Sequence, residues 1–259
     1  MTAPLTRTDI EQLFTAKYGP CDYDDASHVY KVNGKIVPSI TKLKAALSEP
    51  FDGPAIAAKL AGKSGKSAEQ ILEEWKAVAD AGTLTHELLE TILMNGVIQR
   101  PTDHSKYSAI AHERYLQIRQ RGIVAMMLNK FRELGLVPVA CELRVWTDKV
   151  SGTIDLLAYD PSWHKYHVVD WKLNSKPFHD LPTQWDKPLK APFEAWTNSH
   201  LDQYGIQLES YASIIESIGL NIGQGIIIHG YYDLFDNYAD VHFTDTKMRP
   251  ICKNWLENV

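Results

Sequence analysis

The stretch GTIDLLAYDPSWHKYHVVDWK, residues 152–172, decides the fold. It contains two mostly apolar runs on either side of the turn-like segment 160–165, a pattern typical of two antiparallel strands. One acidic residue interrupts each run, Asp155 in the first and Asp170 in the second. A carboxylate is costly to bury in such a strand unless it is paired or binds a cation. The stretch therefore predicts a β-hairpin that carries two functional carboxylates.

The position of the turn predicts how these carboxylates are related. If its centre falls between Ser162 and Trp163, Asp155 and Asp170 lie opposite each other, with Cβ atoms roughly 4.5–5.5 Å apart. Two like charges that close repel, and a divalent cation relieves the repulsion. Lys172 projects on the same face as Asp170, because side chains alternate along a strand. This grouping indicates a Mg²⁺ or Mn²⁺ site for phosphodiester hydrolysis; the alternative is a surface hairpin with an Asp–Lys pair.

The elements around this hairpin indicate an α/β domain with a central mixed sheet flanked by helices. Period-two patterns predict further strands at 139–146, 225–231 and 238–244, and Asn33-Gly34 predicts a separate hairpin near the N-terminus. Helical patterns cover most of 38–98, with a capping box at Ser67 and a new helix opening at Gly82, and then 106–134 and 201–218. We expect an N-terminal hairpin and helical extension over 1–80, followed by the core domain over 81–259.

Two helical segments carry further candidate residues. GTLTH, residues 82–86, places His86 near the start of a predicted helix, and QLESY, residues 207–211, places Gln207 and Tyr211 one turn apart on one helix face. Each feature alone is ordinary, since a lone helical histidine is more often structural than functional.

Taken in order, GTLTH, GTID, DWK and QLESY resemble the signature of the RecB-like nucleases of the PD-(D/E)XK superfamily. The flanking stretches VPSIT and SAEQILEEW are similar to phage-type members, and VDWKLNSKP is similar to the mitochondrial genome maintenance exonuclease group. The resemblance spans residues 82–211. It implies a restriction-endonuclease-like core and a metal-dependent DNA exonuclease that prefers single-stranded ends. A structure-specific endonuclease, or a catalytically silent DNA- or partner-binding module on the same fold, remains an alternative.

The resemblance also implies roles for individual residues. The metal ligands are expected to be His86, Asp155 and Asp170; the catalytic lysine is Lys172; Glu142 matches a frequent acidic position one strand earlier and is a further catalytic or metal candidate; and Gln207 and Tyr211 line the site near the DNA. Some RecB-like nucleases enclose an iron–sulfur cluster with four cysteines. This chain has three, Cys21, Cys141 and Cys252, and they are far apart, so no such cluster is expected.

The segment 176–200 contains four prolines and no clear periodicity, which predicts a long functional loop. Trp185 and Trp196 could stack on bases of a single strand, and Lys176, Lys187 and Lys190 could contact phosphates. The alternative is that both tryptophans pack on the core.

Composition limits the remaining choices. The chain has 259 residues and a net charge of −5, so a phosphate-binding surface must be local or must use metal ions. No apolar run is long enough to span a membrane. Sparse cysteines and an N-terminus without a signal pattern lead us to expect the cytoplasm of a bacterial or phage-infected cell. DNA is the expected partner, together with a replication or recombination protein, and recombination, repair or end processing would all suit the activity.

Overall fold

The structure is a computed structural model, and it describes residues 3–25, 27–96, 103–174, 177–178, 184–232 and 237–259, without the side chains of 184–186 and 232. Ten strands lie in these ranges: β1 (Cys21–Asp24), β2 (Val29–Val32), β3 (Lys35–Val37), β4 (Val137–Trp146), β5 (Ser151–Asp160), β6 (Lys165–Asn174), β7 (Gln184–Pro188), β8 (Thr197–Asn198), β9 (Ile226–Tyr232) and β10 (Asn237–Phe243). The α-helices are α1 (Arg7–Tyr18), α2 (Ile40–Ala45), α3 (Gly53–Ser64), α4 (Ala68–Leu93), α5 (Ala109–Gln120), α6 (Ile123–Glu133), α7 (His200–Ser217) and α8 (Met248–Glu257), and a 3₁₀ turn spans His104–Lys106.

The central sheet has five strands in the order β10-β9-β6-β5-β4. The β4–β5–β6 meander is antiparallel, as predicted, and β9 joins it parallel to β6 after the α7 crossover. Helices α4 and α6 cover one face of the sheet, where Met127 and Phe131 pack against Val169 and Ile228. Helices α1 and α7 cover the other face. The predicted α/β architecture with a mixed sheet is therefore confirmed.

The N-terminal elements pack into the same core as the central sheet. The Asn33-Gly34 turn joins β2 to β3 as predicted, with φ values of 52° and 77° that suit this pair of residues. Ile10 and Phe14 of α1 and Tyr30 of β2 are buried beside residues of β4, β5 and α7. The boundary that we expected between residues 80 and 81 falls inside α4. Part of the expected N-terminal extension, in α1, the β2–β3 hairpin and α2, therefore belongs to the hydrophobic core of the central sheet.

Two predicted helix boundaries differ from the structure. The capping box at Ser67 is present, but α4 continues through Gly82 instead of restarting there, since glycine inside a helix costs only about 1 kcal/mol. The single helix expected over 106–134 is two helices, because Gly122 adopts a left-handed φ of 75° between α5 and α6. Both differences concern glycine, which can continue a helix or end it.

The described part of segment 176–200 has more structure than the predicted loop. Strands β7 and β8 pair as an antiparallel ribbon, and Leu189 and Phe193 are buried in a small hydrophobic cluster with Leu47, Ile206, Met248 and Cys252. The prolines and lysines of this segment interrupt any regular apolar pattern, so these buried positions could not be predicted from periodicity. Within the described ranges, no helix is long and apolar enough to cross a membrane.

Candidate active site

The strand pair that carries the two aspartates has the predicted register. Leu156 pairs with Val169, and the ladder runs from there to Asp160 and Lys165 around the turn. Its pairs stop one position short of Asp155 and Asp170. There the Asp155 carboxylate replaces a ladder partner: its Oδ2 accepts the backbone N–H of Trp171 at 3.1 Å. This bond fixes the Asp155 side chain against β6 just beyond the last β5–β6 pair, beside Asp170.

Asp170 and Lys172 form a buried ion pair at the same point. Asp170 is 4% exposed, and the Nζ of Lys172 lies 2.5 Å from its Oδ2, although that oxygen is left without a well-aligned hydrogen-bond donor. Burial raises the pKa of Asp170. Burial also opposes the charged form of Lys172, but the negative charges of Asp170 and Asp155 outweigh it and raise the pKa of the ammonium group. The pair therefore places the Lys172 ammonium group beside a carboxylate whose Oδ2 still lacks a well-aligned hydrogen-bond donor.

Helix α4 brings His86 to this pair of strands. The Nδ1 of His86 lies 3.4 Å from the Oδ2 of Asp155, and both side chains are partly exposed. Glu90, one turn later on the same helix face, is 5% exposed. The predicted grouping of His86 with Asp155, Asp170 and Lys172 is thus present in the structure.

Glu142 reaches the site from β4 through an unusual backbone conformation. It lies between the ladder pairs Cys141–Leu156 and Leu143–Ile154, level with Asp155, and its φ is 48°. This left-handed conformation is costly for a residue with a Cβ and is found where the surrounding structure enforces it. Here Arg7 of α1 donates to the carbonyl oxygens of Cys141 at 2.7 Å and Glu142 at 3.1 Å.

A cleft of about 890 Å³ between α4, β4, β6 and the β1–β2 hairpin is lined by His86, Glu90, Glu142 and Lys172. Asp155 and Asp170 adjoin it through their contacts with His86 and Lys172. Its walls include Tyr23, His28, His86, Tyr107, Trp171 and Lys172. Carboxylates outnumber ammonium groups there by five to two: Asp25, Glu87, Glu90, Asp103 and Glu142 against Lys106 and Lys172. Such a cleft repels a polyanion unless cations are added.

The donor set suits a hard divalent cation. Carboxylate oxygens with one imidazole are ligands for Mg²⁺ or Mn²⁺, and the poorly satisfied Oδ2 of Asp170 offers an acceptor. Among the described residues, no three His, Cys, Asp or Glu side chains already surround one point as ligands. The site is therefore rich in suitable donors but is not arranged as a closed coordination shell.

The two α7 residues occupy different environments. The Oε1 of Gln207 accepts the Nζ of Lys44 at 2.6 Å on the side of the site away from α4. Tyr211 is 3% exposed, and its ring lies against Gly152, where an added Cβ would be 2.5 Å from Cε1. Its hydroxyl is hydrogen-bonded to the Thr41 side chain. We therefore expect Tyr211 to position α7 on β5 rather than to touch DNA.

Lys44, like Arg7, is a residue near the site that sequence reasoning missed. It lies on α2, three residues after the end of the VPSIT stretch, and is half-buried. Its Nζ is 5.3 Å from the centre of the Tyr204 ring, and the Nζ of Lys172 is 4.8 Å from the same ring centre. The local sequence around Lys44 does not distinguish it from exposed Lys42. The environment of Lys44 depends instead on the packing of α7 beside α2.

Of the tryptophans in segment 176–200, Trp196 lies away from the acidic cleft. Trp196 is half-buried and packs on the small cluster around Phe193, with ring centres 6.2 Å apart. Trp185 lies on β7, but its side chain is outside the described part of the structure, as is Lys176. Trp196 therefore packs on the protein, as the alternative to base stacking predicted.

The family model for the PD-(D/E)XK nuclease superfamily matches residues 63–218. This range is more than half of the chain and contains His86, Glu142, Asp155, Asp170, Lys172, Gln207 and Tyr211, whereas Arg7 and Lys44 precede it. No curated protein matches the chain.

Proposed function

The chain belongs to the PD-(D/E)XK nuclease superfamily, and we propose that it is a Mg²⁺- or Mn²⁺-dependent deoxyribonuclease of the RecB-like, phage-type branch that degrades DNA from free, preferably single-stranded, ends. The observation that carries this proposal is the cluster of Asp155, Asp170, His86 and Lys172, from α4, β5 and β6, in which His86 and Lys172 also line the acidic cleft.

The residues divide into two roles under this proposal. His86, Glu142, Asp155 and Asp170 hold the cation. When bound, the cation neutralises phosphate charge and makes a water easier to deprotonate. Lys172 stands beside the scissile phosphate, where its charge orients the attacking water and stabilises the negative charge that develops on the phosphate oxygens. Asp155 also keeps β6 in place through its bond to Trp171.

The acidic cleft supports a requirement for metal. With five carboxylates and two lysines on its walls, it is a poor site for DNA until divalent cations reverse the local charge. We therefore expect cleavage to stop when metal is chelated, and to return when Mg²⁺ or Mn²⁺ is restored.

The test uses a linear single strand labelled at the 5′ or the 3′ end, and a closed single-stranded circle, each with Mn²⁺, Mg²⁺ or chelator. We expect the linear strand to be shortened from an end, while the circle survives. Cleavage of the circle would identify an endonuclease, and cleavage of neither substrate would identify a binding module.

Asp170→Asn and Lys172→Ala should both be inactive, and Asp148→Asn, at an exposed position, is the matched control. Lys172→Ala should still bind DNA within a few-fold of wild type, because Lys172 acts in the transition state.

A further inference from the structure

Lys44 reaches the site from outside the range that the family model matches. Helix α2 is anchored beside β5, because the backbone N–H of Ser151 donates to the carbonyl oxygen of Pro38 at 3.0 Å. The helix also packs on α7. These contacts place Lys44 over the α7 residues Tyr204 and Gln207.

The Lys44 ammonium group is near a second cation. Its Nζ and that of Lys172 lie 5.3 Å and 4.8 Å from the centre of one Tyr204 ring, so the two nitrogens are at most about 10 Å apart. Lys172 has Asp170 as its ion-pair partner, whereas no carboxylate among the described residues forms an ion pair with Lys44. Its polar contact is the neutral amide oxygen of Gln207.

This environment favours an anion. Burial and the repulsion of Lys172 outweigh the attraction of Asp170 and lower the pKa of Lys44 to about 8. The nearby His200 has a lowered pKa, through burial and then through the charge of Lys44. The α7 side of the site thus carries an ammonium group without an ion-pair partner among the described residues, in contrast to the acidic cleft on the α4 side. A cation removed from water without a counter-ion is costly, and a bound anion relieves that cost.

We propose that Lys44 binds a phosphate of the nucleic acid strand next to the scissile phosphate, while Gln207 holds its side chain in place. This inference rests on the proposed nuclease function. A lysine suits the task because it binds phosphate as a point charge and requires no fixed fork geometry. The strand would then pass from the metal ligands over Lys172 to Lys44, with Tyr204 between the two lysines.

The test is the salt dependence of binding to a short fluorescent single strand, with Ca²⁺ in place of Mg²⁺ to prevent cleavage. Loss of one phosphate contact should reduce the slope of log K against log salt by about 0.7 and weaken binding roughly tenfold. Lys44→Met, which keeps the aliphatic stem, should show both effects, and Lys44→Arg should restore the slope. Lys42→Ala, on an exposed part of the same helix, should change neither.

Strands with a 5′-phosphate and a 5′-hydroxyl distinguish the source of the phosphate. If Lys44→Met lowers affinity and salt slope equally on both strands, Lys44 contacts an internal phosphate. If it lowers them only on the strand with a 5′-phosphate, Lys44 contacts the terminal phosphate. An unchanged slope on both strands in Lys44→Met would overturn the Lys44 proposal and leave the nuclease intact. If the wild-type protein neither binds nor cleaves any strand, the proposed function itself fails.

Discussion

The guanidinium group of Arg7 donates to the backbone carbonyl of Glu142, a residue in a left-handed conformation inside a β-strand. Among the described residues, the other non-glycine residues with positive φ lie in turns or next to strand ends. The first helix of the chain therefore supports a strained backbone position at the edge of the acidic cleft. Strain of this kind costs on the order of 1–3 kcal/mol and is concentrated at functional sites.

Glu142→Gly should separate stability from function. Glycine adopts a φ of 48° without the Cβ penalty, which offsets its greater freedom in the unfolded chain. We expect the melting temperature to stay equal or rise, while Mn²⁺ affinity by calorimetry and cleavage both fall. Glu142→Gln keeps the strain and loses the charge, so it should match the glycine variant in affinity but not exceed wild type in stability. Wild-type Mn²⁺ affinity in both variants would remove Glu142 from the metal site.

Arg7→Met should weaken metal binding although Arg7 lies outside the cleft. Without the guanidinium group, the Cys141 and Glu142 carbonyls lose their donors and the Glu142 backbone can relax. Loss of a group that orients a metal ligand typically lowers metal affinity by about 10- to 100-fold. Glu11→Gln is the control, because it removes the 3.0 Å ion pair with Arg7 and leaves both carbonyl contacts. If both variants lower Mn²⁺ affinity equally, the ion pair is responsible and the carbonyl contacts are not.

The sequence predicted the sheet and the grouped acidic residues because both depend on short-range patterns. Alternation along β5 and β6, and the position of their turn, were enough to place Asp155 near Asp170 and Lys172. Arg7 and Lys44 could not be found in this way, because their partners lie 135 and 163 positions away in the chain. The strain at Glu142 could not be predicted from the sequence either, because a glutamate in a strand does not indicate a left-handed φ. Ribbon β7–β8 was missed because it is short and proline-rich.

Gly152→Ala should loosen the contact between β5 and α7. The new Cβ would lie 2.5 Å from Cε1 and 2.9 Å from the hydroxyl oxygen of Tyr211, whose ring is buried. Overpacking costs about 1–3 kcal/mol, and each kcal/mol lowers the melting temperature by about 2–4 °C in a chain of this size. Cleavage should also fall, because α7 carries Gln207. Tyr211→Phe keeps the ring and should have a smaller effect on both.

Gly62→Ala is the matched control for this substitution. Gly62 lies inside α3 with no neighbouring atom near its added Cβ, so alanine there should raise stability by up to about 1 kcal/mol. A stable and fully active Gly152→Ala protein would show that the Tyr211 ring moves freely and that the contact has no positioning role.

Trp185→Ala and Trp196→Ala should give different results. Trp196 packs on the Phe193 cluster, so its loss should lower the melting temperature and reduce oligonucleotide cleavage and hydrolysis of a short reporter diester together. If Trp185 stacks on a base, its loss should weaken single-strand binding by roughly 5- to 150-fold and spare reporter hydrolysis. Equal loss of stability in both variants would make both tryptophans core residues and remove the stacking proposal.

His229→Leu should reduce the sensitivity of the fold to acid. His229 is 1% exposed and stacks on Phe178 with ring centres 3.7 Å apart. Burial and then the charge of His242 lower its pKa from 6.5 to about 3. Between these values the unfolded chain takes up a proton that the folded chain does not, so stability falls as pH drops below about 6.5. By pH 5 this linkage costs on the order of 2 kcal/mol.

Urea unfolding at pH 7.5 and pH 5 measures this difference. Wild type should lose more stability than His229→Leu over that interval, because leucine has no proton to gain, whereas all other titrating groups contribute equally to both proteins. The comparison uses the change with pH within each protein, so a cost of repacking leucine against Phe178 cancels. An equal loss in the two proteins would mean that His229 is protonated in the folded state as readily as in the unfolded chain, and that its stacked, buried position does not keep it neutral.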